Sequence, residues 1–111
     1  MTSVLIERSK NGVLLGCEAE GHSGYAVRGS DIVCSAVTVL IRTTLQVLSG
    51  LPGVELETDT SQRGYVSFKI LQGFSSECEE KLKYAGDFLV TGLASVQEEF
   101  PDNLELVINS L

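Results

Sequence analysis

Two residues of this chain have the side chains that nucleophilic catalysis requires. His22, which is the only histidine, and Cys34 lie near the two ends of a segment that contains Gly21, Gly24 and Gly29. An imidazole within hydrogen-bonding distance of a thiol can accept its proton, and the thiolate that results attacks carbonyl carbon. The pair is therefore a candidate for acyl transfer by a cysteine nucleophile.

The position of Cys34 in its element bears on this interpretation. Asp31 is a favourable N-cap, since its carboxylate can accept hydrogen bonds from the first turn of a helix. Cys34 falls in that turn, where N–H groups and the helix dipole stabilise a thiolate and can also stabilise an oxyanion. By position alone, packing with apolar neighbours explains Cys34 at least as well, and a single loop histidine is commonly solvated. Because His22 and Cys34 lie at opposite ends of one loop, a catalytic pair and two separate structural roles explain these residues about equally well.

Other residues of this segment have structural explanations beside their catalytic ones. Asp31 could orient His22 as the third member of a triad does, although capping is its safest role. The hydroxyl of Thr38, one turn after Cys34, could reach the same site, but a bond to its own helix backbone is the better explanation. Gly24 and Gly29 fit a flexible loop that admits an extended substrate, or else an ordinary surface loop.

The other two cysteines, Cys17 and Cys78, lie on apolar stripes of a predicted strand and a predicted helix. Free cysteine is among the most frequently buried residue types, so both are predicted to be core residues. Three widely spaced cysteines and one histidine indicate neither a disulfide framework nor a zinc site, and no metal is expected.

Hydrophobic periodicity and turn signals predict seven elements in the order β-β-α-β-β-α-β. They are strands at 3–8 and 13–19, a loop at 20–30, a helix from 31 to about 49, strands at 54–59 and 66–70, a helix from 76 to 100 and a strand at 104–108. This is an α+β fold in one domain over residues 1–111, with a mostly antiparallel sheet that carries both helices. The first helix is apolar on nearly every side, so a second copy of the chain is a plausible cover.

Charge and composition exclude several classes of protein. The net charge is −7 and the few cations are scattered, which argues against direct binding of nucleic acid and is compatible with a basic polypeptide partner. The first residues lack the pattern of a signal peptide. Arg42 and several threonines interrupt the longest apolar stretch, so no membrane span is predicted. A cytoplasmic location is expected.

The two motifs Gly21-His22-Ser23 and Gly29-Ser30-Asp31-Ile32-Val33-Cys34-Ser35-Ala36 resemble the signature of the ribosomal-processing cysteine protease family, called Prp. Chain length, element order and the acidic end of the second helix extend the resemblance over essentially the whole chain. Two positions depart from the common pattern: Ser23 replaces the usual alanine and Thr38 the usual serine. Both changes are small, and they affect fine specificity more than chemistry.

The resemblance implies a specific activity. Members of the family are cysteine endopeptidases that remove a short N-terminal extension from a protein of the large ribosomal subunit. His22 and Cys34 match the catalytic dyad, and Asp31 and Gly21 match other motif positions. The family is homodimeric and uses no metal or organic cofactor. The alternative is a non-catalytic, dimeric, ribosome-associated binding module in which Cys34 is a core thiol.

Overall fold

The computed structural model of the protein describes residues 1–21, 31–72 and 74–111, and its elements follow the predicted order. They are β1 (Thr2–Arg8), β2 (Leu14–Glu20), α1 (Ile32–Ser49), β3 (Glu55–Asp59), β4 (Tyr65–Gln72), α2 (Ser76–Glu99) and β5 (Leu104–Ser110). The predicted α+β fold is confirmed.

The five strands form one sheet in the order β3-β4-β2-β1-β5. All neighbours are antiparallel except β1 and β5, which are parallel. In the β1–β2 hairpin, Ser3 lies opposite Glu20. This register places the start of β1 beside the end of β2, at the same end of the sheet.

One face of the sheet carries the hydrophobic core. Val4 and Ile6 of β1, Cys17 of β2 and Phe68 of β4 are at most 4% exposed, and cross-strand pairing places Ile6 opposite Cys17 and Cys17 opposite Phe68. Both helices contribute to the same core cluster, including Ile41 of α1. The second helix contributes Leu82, Leu89 and Leu93, all of them fully buried. Cys17 and Cys78 are both buried, as predicted.

Helix α1 buries one face and leaves apolar side chains on another. Its buried residues are Val33, Val37, Ile41, Thr44 and Leu48. Ile32, Val39 and Val47 are more than half exposed. By length and composition alone α1 could cross a membrane, but a core helix of a globular domain has the same features, and α1 packs in the core with the sheet and α2. The side chains of Ile32, Val39 and Val47 therefore leave an apolar surface of α1 exposed in the single chain.

The capping-box spacing of Ser76 and Glu79 predicts Ser76 as the N-cap of α2, but in the structure Ser76 is already the first residue of the helix. Ser75, not Ser76, is the N-cap, and its hydroxyl accepts a hydrogen bond from the Cys78 N–H at 3.3 Å. The Glu79 N–H bonds to the Ser75 carbonyl oxygen at 2.8 Å. Ser75 and Ser76 are adjacent and equally good caps, so only the backbone geometry distinguished them.

Candidate active site

Four segments meet at the end of the sheet where β1 begins and β2 ends. The Gly21 N–H donates to the Gly64 carbonyl oxygen at 2.9 Å, which joins the end of β2 to the turn between β3 and β4. The side chain of Thr2 in β1 contacts Cys34 in the first turn of α1. The antiparallel register of β1 and β2 and the packing of α1 therefore create the site together.

Gly21 has a steric role at this junction. Its φ angle is +90°, and a Cβ atom added there would lie 2.7 Å from the Met1 carbonyl oxygen. A side chain is disfavoured both by the backbone conformation and by this contact with β1. The conformation of Gly21 sets the direction in which the chain leaves β2, immediately before His22.

We expect Gly21→Ala to lower the free energy of unfolding by about 1–3 kcal/mol, because alanine must adopt a strained φ and displace the start of β1. Urea unfolding measures the change. The matched control is Gly50→Ala at the end of α1, where φ is −90° and the nearest atom to an added Cβ is 3.6 Å away. Equal losses in the two variants would contradict the steric role of Gly21.

Asp31 caps α1 as predicted and fixes the position of Cys34. Its side chain is buried, with the residue 6% exposed, and Oδ1 accepts hydrogen bonds from the N–H groups of Val33 and Cys34, each at 3.0 Å. These two N–H groups are therefore directed at Asp31. The Cys34 N–H, which the sequence suggested as an oxyanion donor, is engaged with the cap in this structure.

The side chain of Cys34 is half-buried, and its sulfur lies 3.8 Å from the hydroxyl oxygen of Thr2. Thr2 is only 3% exposed. Either group can be the donor: the thiol can donate to the hydroxyl, or the hydroxyl can donate to the sulfur and stabilise a thiolate. Sequence reasoning missed Thr2, since a threonine at the start of a strand carries no signal that it will meet a helix so far along the chain.

A groove of about 510 Å³ runs along α1 from this point. One side of the groove is formed by α1, through Cys34, Thr38 and Arg42. These residues follow one another at intervals of about one helical turn and so lie on one face of the helix. Residues 60–66, comprising the turn between β3 and β4 and the start of β4, also line it. Cys34 thus borders an open groove, whose volume is in the range of ligand-binding clefts.

The structure brings four of the predicted site residues to one place. Gly21, Cys34 and Thr38 line the groove, and Asp31 holds the backbone of Cys34. His22, Gly24 and Gly29 lie outside the described residues, so their predicted roles in the dyad and in a substrate loop stay predictions.

The two remaining thiols differ from Cys34 in their surroundings. Burial, and secondarily the nearby charge of Glu18, raises the pKa of the Cys17 thiol to about 12. That thiol is therefore uncharged at neutral pH and a poor nucleophile. The sulfur of Cys78 is buried and donates to the Pro52 carbonyl oxygen at 3.4 Å. Within residues 1–21, 31–72 and 74–111, no group of three or more potential metal ligands occurs.

Comparison with known proteins gives consistent matches over nearly the full length. The model of a family described as cysteine protease Prp matches residues 1–105. The ribosomal processing cysteine protease Prp of Bacillus subtilis is 26% identical over 110 residues, which is 98% of each chain.

Two solved structures share the fold. The essential ribosomal processing protease Prp from S. aureus, in complex with a covalently linked product peptide, superposes with a TM-score of 0.83 at 18% identity, over 98% of this chain and 100% of that one. SMU.848 from Streptococcus mutans superposes with a TM-score of 0.76 at 27% identity, over 100% of this chain and 96% of that one. At 18% identity the first of these likenesses establishes the fold alone.

Proposed function

The chain belongs to the cysteine protease Prp family, and on that premise we propose that it removes a short N-terminal extension from a precursor of a large-subunit ribosomal protein. In this proposal Cys34 is the nucleophile and His22 is the general base. The observation that carries it is the position of Cys34, in the first turn of α1 and on the wall of an open groove.

The first half of the proposed reaction transfers the acyl group to sulfur. His22 accepts the proton of the Cys34 thiol, and the thiolate attacks the carbonyl carbon of the scissile peptide bond. As the tetrahedral intermediate collapses, the C–N bond breaks and protonated His22 gives its proton to the departing amine. The hydroxyl of Thr2, 3.8 Å from the sulfur, is placed to stabilise the thiolate before attack.

The second half hydrolyses the thioester. Water attacks the acyl carbon, His22 accepts a proton from that water, and the C–S bond breaks to release a carboxylic acid and the Cys34 sulfur. No metal or organic cofactor takes part in these steps. The Cys34 N–H is bonded to Asp31 in the structure, so its use as an oxyanion donor requires that this bond open when substrate binds.

The substrate is inferred from relatives and from charge. The B. subtilis relative is a ribosomal processing protease, and the S. aureus relative was solved in complex with a substrate peptide. An N-terminal extension can enter an open groove as an extended chain. The net charge of −7 would attract the basic body of a ribosomal protein at low ionic strength.

Incubation of the protein with the extended ribosomal precursor tests the proposal. We expect one cut, with two products whose masses sum to that of the precursor plus one water, as mass spectrometry would show. As a control, the ribosomal protein that already lacks its extension is incubated in the same way, and it should remain uncut. Persistence of the extended precursor under conditions where the protein is folded would refute the proposed activity and favour the binding-module alternative.

We further propose that the protein is a cytoplasmic homodimer in which the partner covers the apolar surface of the two helices. Val47 of α1, with Tyr84 and Phe88 of α2, borders an apolar groove of about 490 Å³. Tyr84 is 76% and Phe88 52% exposed, and aromatic side chains in such positions are typical of interfaces.

Replacing Phe88 with glutamate should shift the protein toward a monomer in sedimentation equilibrium, because a charge would be buried in an apolar contact. Val107→Glu is the control, since Val107 is 45% exposed and pairs with Leu5, whose side chain points to the face of the sheet opposite the buried Val4 and Ile6. A wild-type monomer at all concentrations, or a Phe88→Glu dimer as tight as wild type, would exclude this interface.

A further inference from the structure

The hydroxyl of Thr2 depends on the sulfur of Cys34 for its hydrogen bond. Thr2 is only 3% exposed, so water has little access to it, and its Oγ1 atom lies 3.8 Å from the sulfur. Among the described residues, no other group bonds to this hydroxyl. A buried hydroxyl is costly to leave without a partner, so the contact with the sulfur has an energetic consequence.

The backbone on both sides of β1 holds Thr2 in place. Its N–H donates to the Asn103 carbonyl oxygen at 3.0 Å, and Thr2 pairs with Leu104 in the parallel ladder of β1 and β5. From the β2 side, a Cβ atom added to Gly21 would lie 3.8 Å from the Thr2 Cα. Threonine is also β-branched, which restricts its χ1 angle. The hydroxyl is therefore positioned against the sulfur before any substrate binds.

The strength of this hydrogen bond depends on the charge of the sulfur. A hydroxyl donates more strongly to an ionised acceptor than to a neutral one. A thiolate is such an acceptor, whereas the sulfur of a thioester is neutral and accepts weakly. In the proposed reaction the sulfur becomes charged twice, when Cys34 loses its proton and again when the C–S bond of the thioester breaks. The Thr2 hydroxyl favours both changes.

We infer that Thr2 is a catalytic residue whose hydroxyl donates a hydrogen bond to the Cys34 sulfur as that sulfur leaves the thioester. The electron pair of the C–S bond stays on the sulfur, the hydroxyl keeps its own proton, and the acyl group departs as the carboxylic acid. This inference rests on the proposed function, because it takes a thioester at Cys34 as the intermediate. Thr2 lies outside the motifs at residues 21–36, so the motifs do not assign it this role.

The ester p-nitrophenyl acetate tests the inference without a peptide substrate, because it acylates a reactive thiol and releases coloured nitrophenolate. The initial burst measures acylation of Cys34, and the slower release that follows measures hydrolysis of the thioester, with Cys34→Ala protein as the background. We expect Thr2→Val and Thr2→Ala to slow this hydrolysis about tenfold, near the low end for loss of a hydrogen bond to a charged group. Thr2→Ser, which keeps the hydroxyl, should retain most of the wild-type rate.

Thr44→Val is the matched control for Thr2→Val. Thr44 is a second buried threonine, 4% exposed, and its hydroxyl donates to the Leu40 carbonyl oxygen of its own helix at 2.8 Å. This variant should hydrolyse the thioester at the wild-type rate. Equal slowing in the two valine variants would mean a general effect on the fold and would overturn the inference. Equal rates for Thr2→Ser and Thr2→Ala, which differ only in the hydroxyl, would also overturn it.

The ultraviolet absorbance of the thiolate, measured against Cys34→Ala protein, separates failure of the inference from failure of the proposed function. At neutral pH we expect more thiolate absorbance in Thr2→Ser than in Thr2→Ala. Where the ester gives no burst, this difference supports the hydrogen bond to the charged sulfur, even when the wild type cleaves no ribosomal precursor. Equal absorbance in the two variants would mean that Thr2 only packs beside the sulfur, while the protease function would stand.

Discussion

Cys34→Ala is expected to abolish cleavage of the extended precursor and to leave the fold intact. Without the sulfur no thioester can form, and loss of a catalytic nucleophile typically costs three to six orders of magnitude in rate. The backbone N–H of residue 34 still bonds to Asp31, and the change removes a half-buried sulfur together with its 3.8 Å contact with Thr2. We expect the free energy of unfolding to change by less than about 1 kcal/mol.

The matched control for this prediction is Cys78→Ala, the same chemical change at a buried cysteine away from the groove. It should keep the wild-type rate while losing some stability, because its sulfur is buried and bonds to Pro52. Product formation by mass spectrometry and urea unfolding provide the two measurements. Cleavage by Cys34→Ala at a rate near that of wild type would show that another residue is the nucleophile.

The second large effect is an alkaline loss of stability caused by Cys17. Burial raises the pKa of this thiol from 9.0 to about 12 in the folded protein, so the unfolded chain loses its proton at a lower pH than the folded one. Between these two values unfolding releases a proton, and stability falls by about 1.4 kcal/mol per pH unit. The total loss near pH 12 is on the order of 4 kcal/mol from this group alone.

Comparison of wild type with Cys17→Ala isolates the contribution of this group, because other residues also titrate above pH 9. The variant should be less stable than wild type at pH 7 through the loss of packing, and its unfolding free energy should fall less steeply above pH 9. Val4→Ala, a truncation in the same core without a titratable group, should lower stability equally at every pH. Parallel curves for wild type and Cys17→Ala above pH 9 would show that this thiol does not control the decline.

The family and the class of enzyme could be predicted from residues 21–36, and the family match over residues 1–105 confirms both. The fold could be predicted because its signals are local. Alternating strands, the turn between β1 and β2 and the Asp31 cap depend on residues close together in the chain, and the structure contains all three. The wrong N-cap of α2 is an error of one residue, where two adjacent serines gave the same local signal.

The sequence by itself determined the element order, the burial of Cys17 and Cys78, and the placement of Cys34 in the first turn of α1. Tertiary structure decided which distant residues surround that sulfur. The contact of Thr2 with Cys34, the close approach of Gly21 to Met1 and the lining of the groove all join residues far apart in the chain. The physical reason is that hydrophobic periodicity specifies which face of an element is buried, whereas the packing of α1 against the sheet specifies which side chains meet at its end.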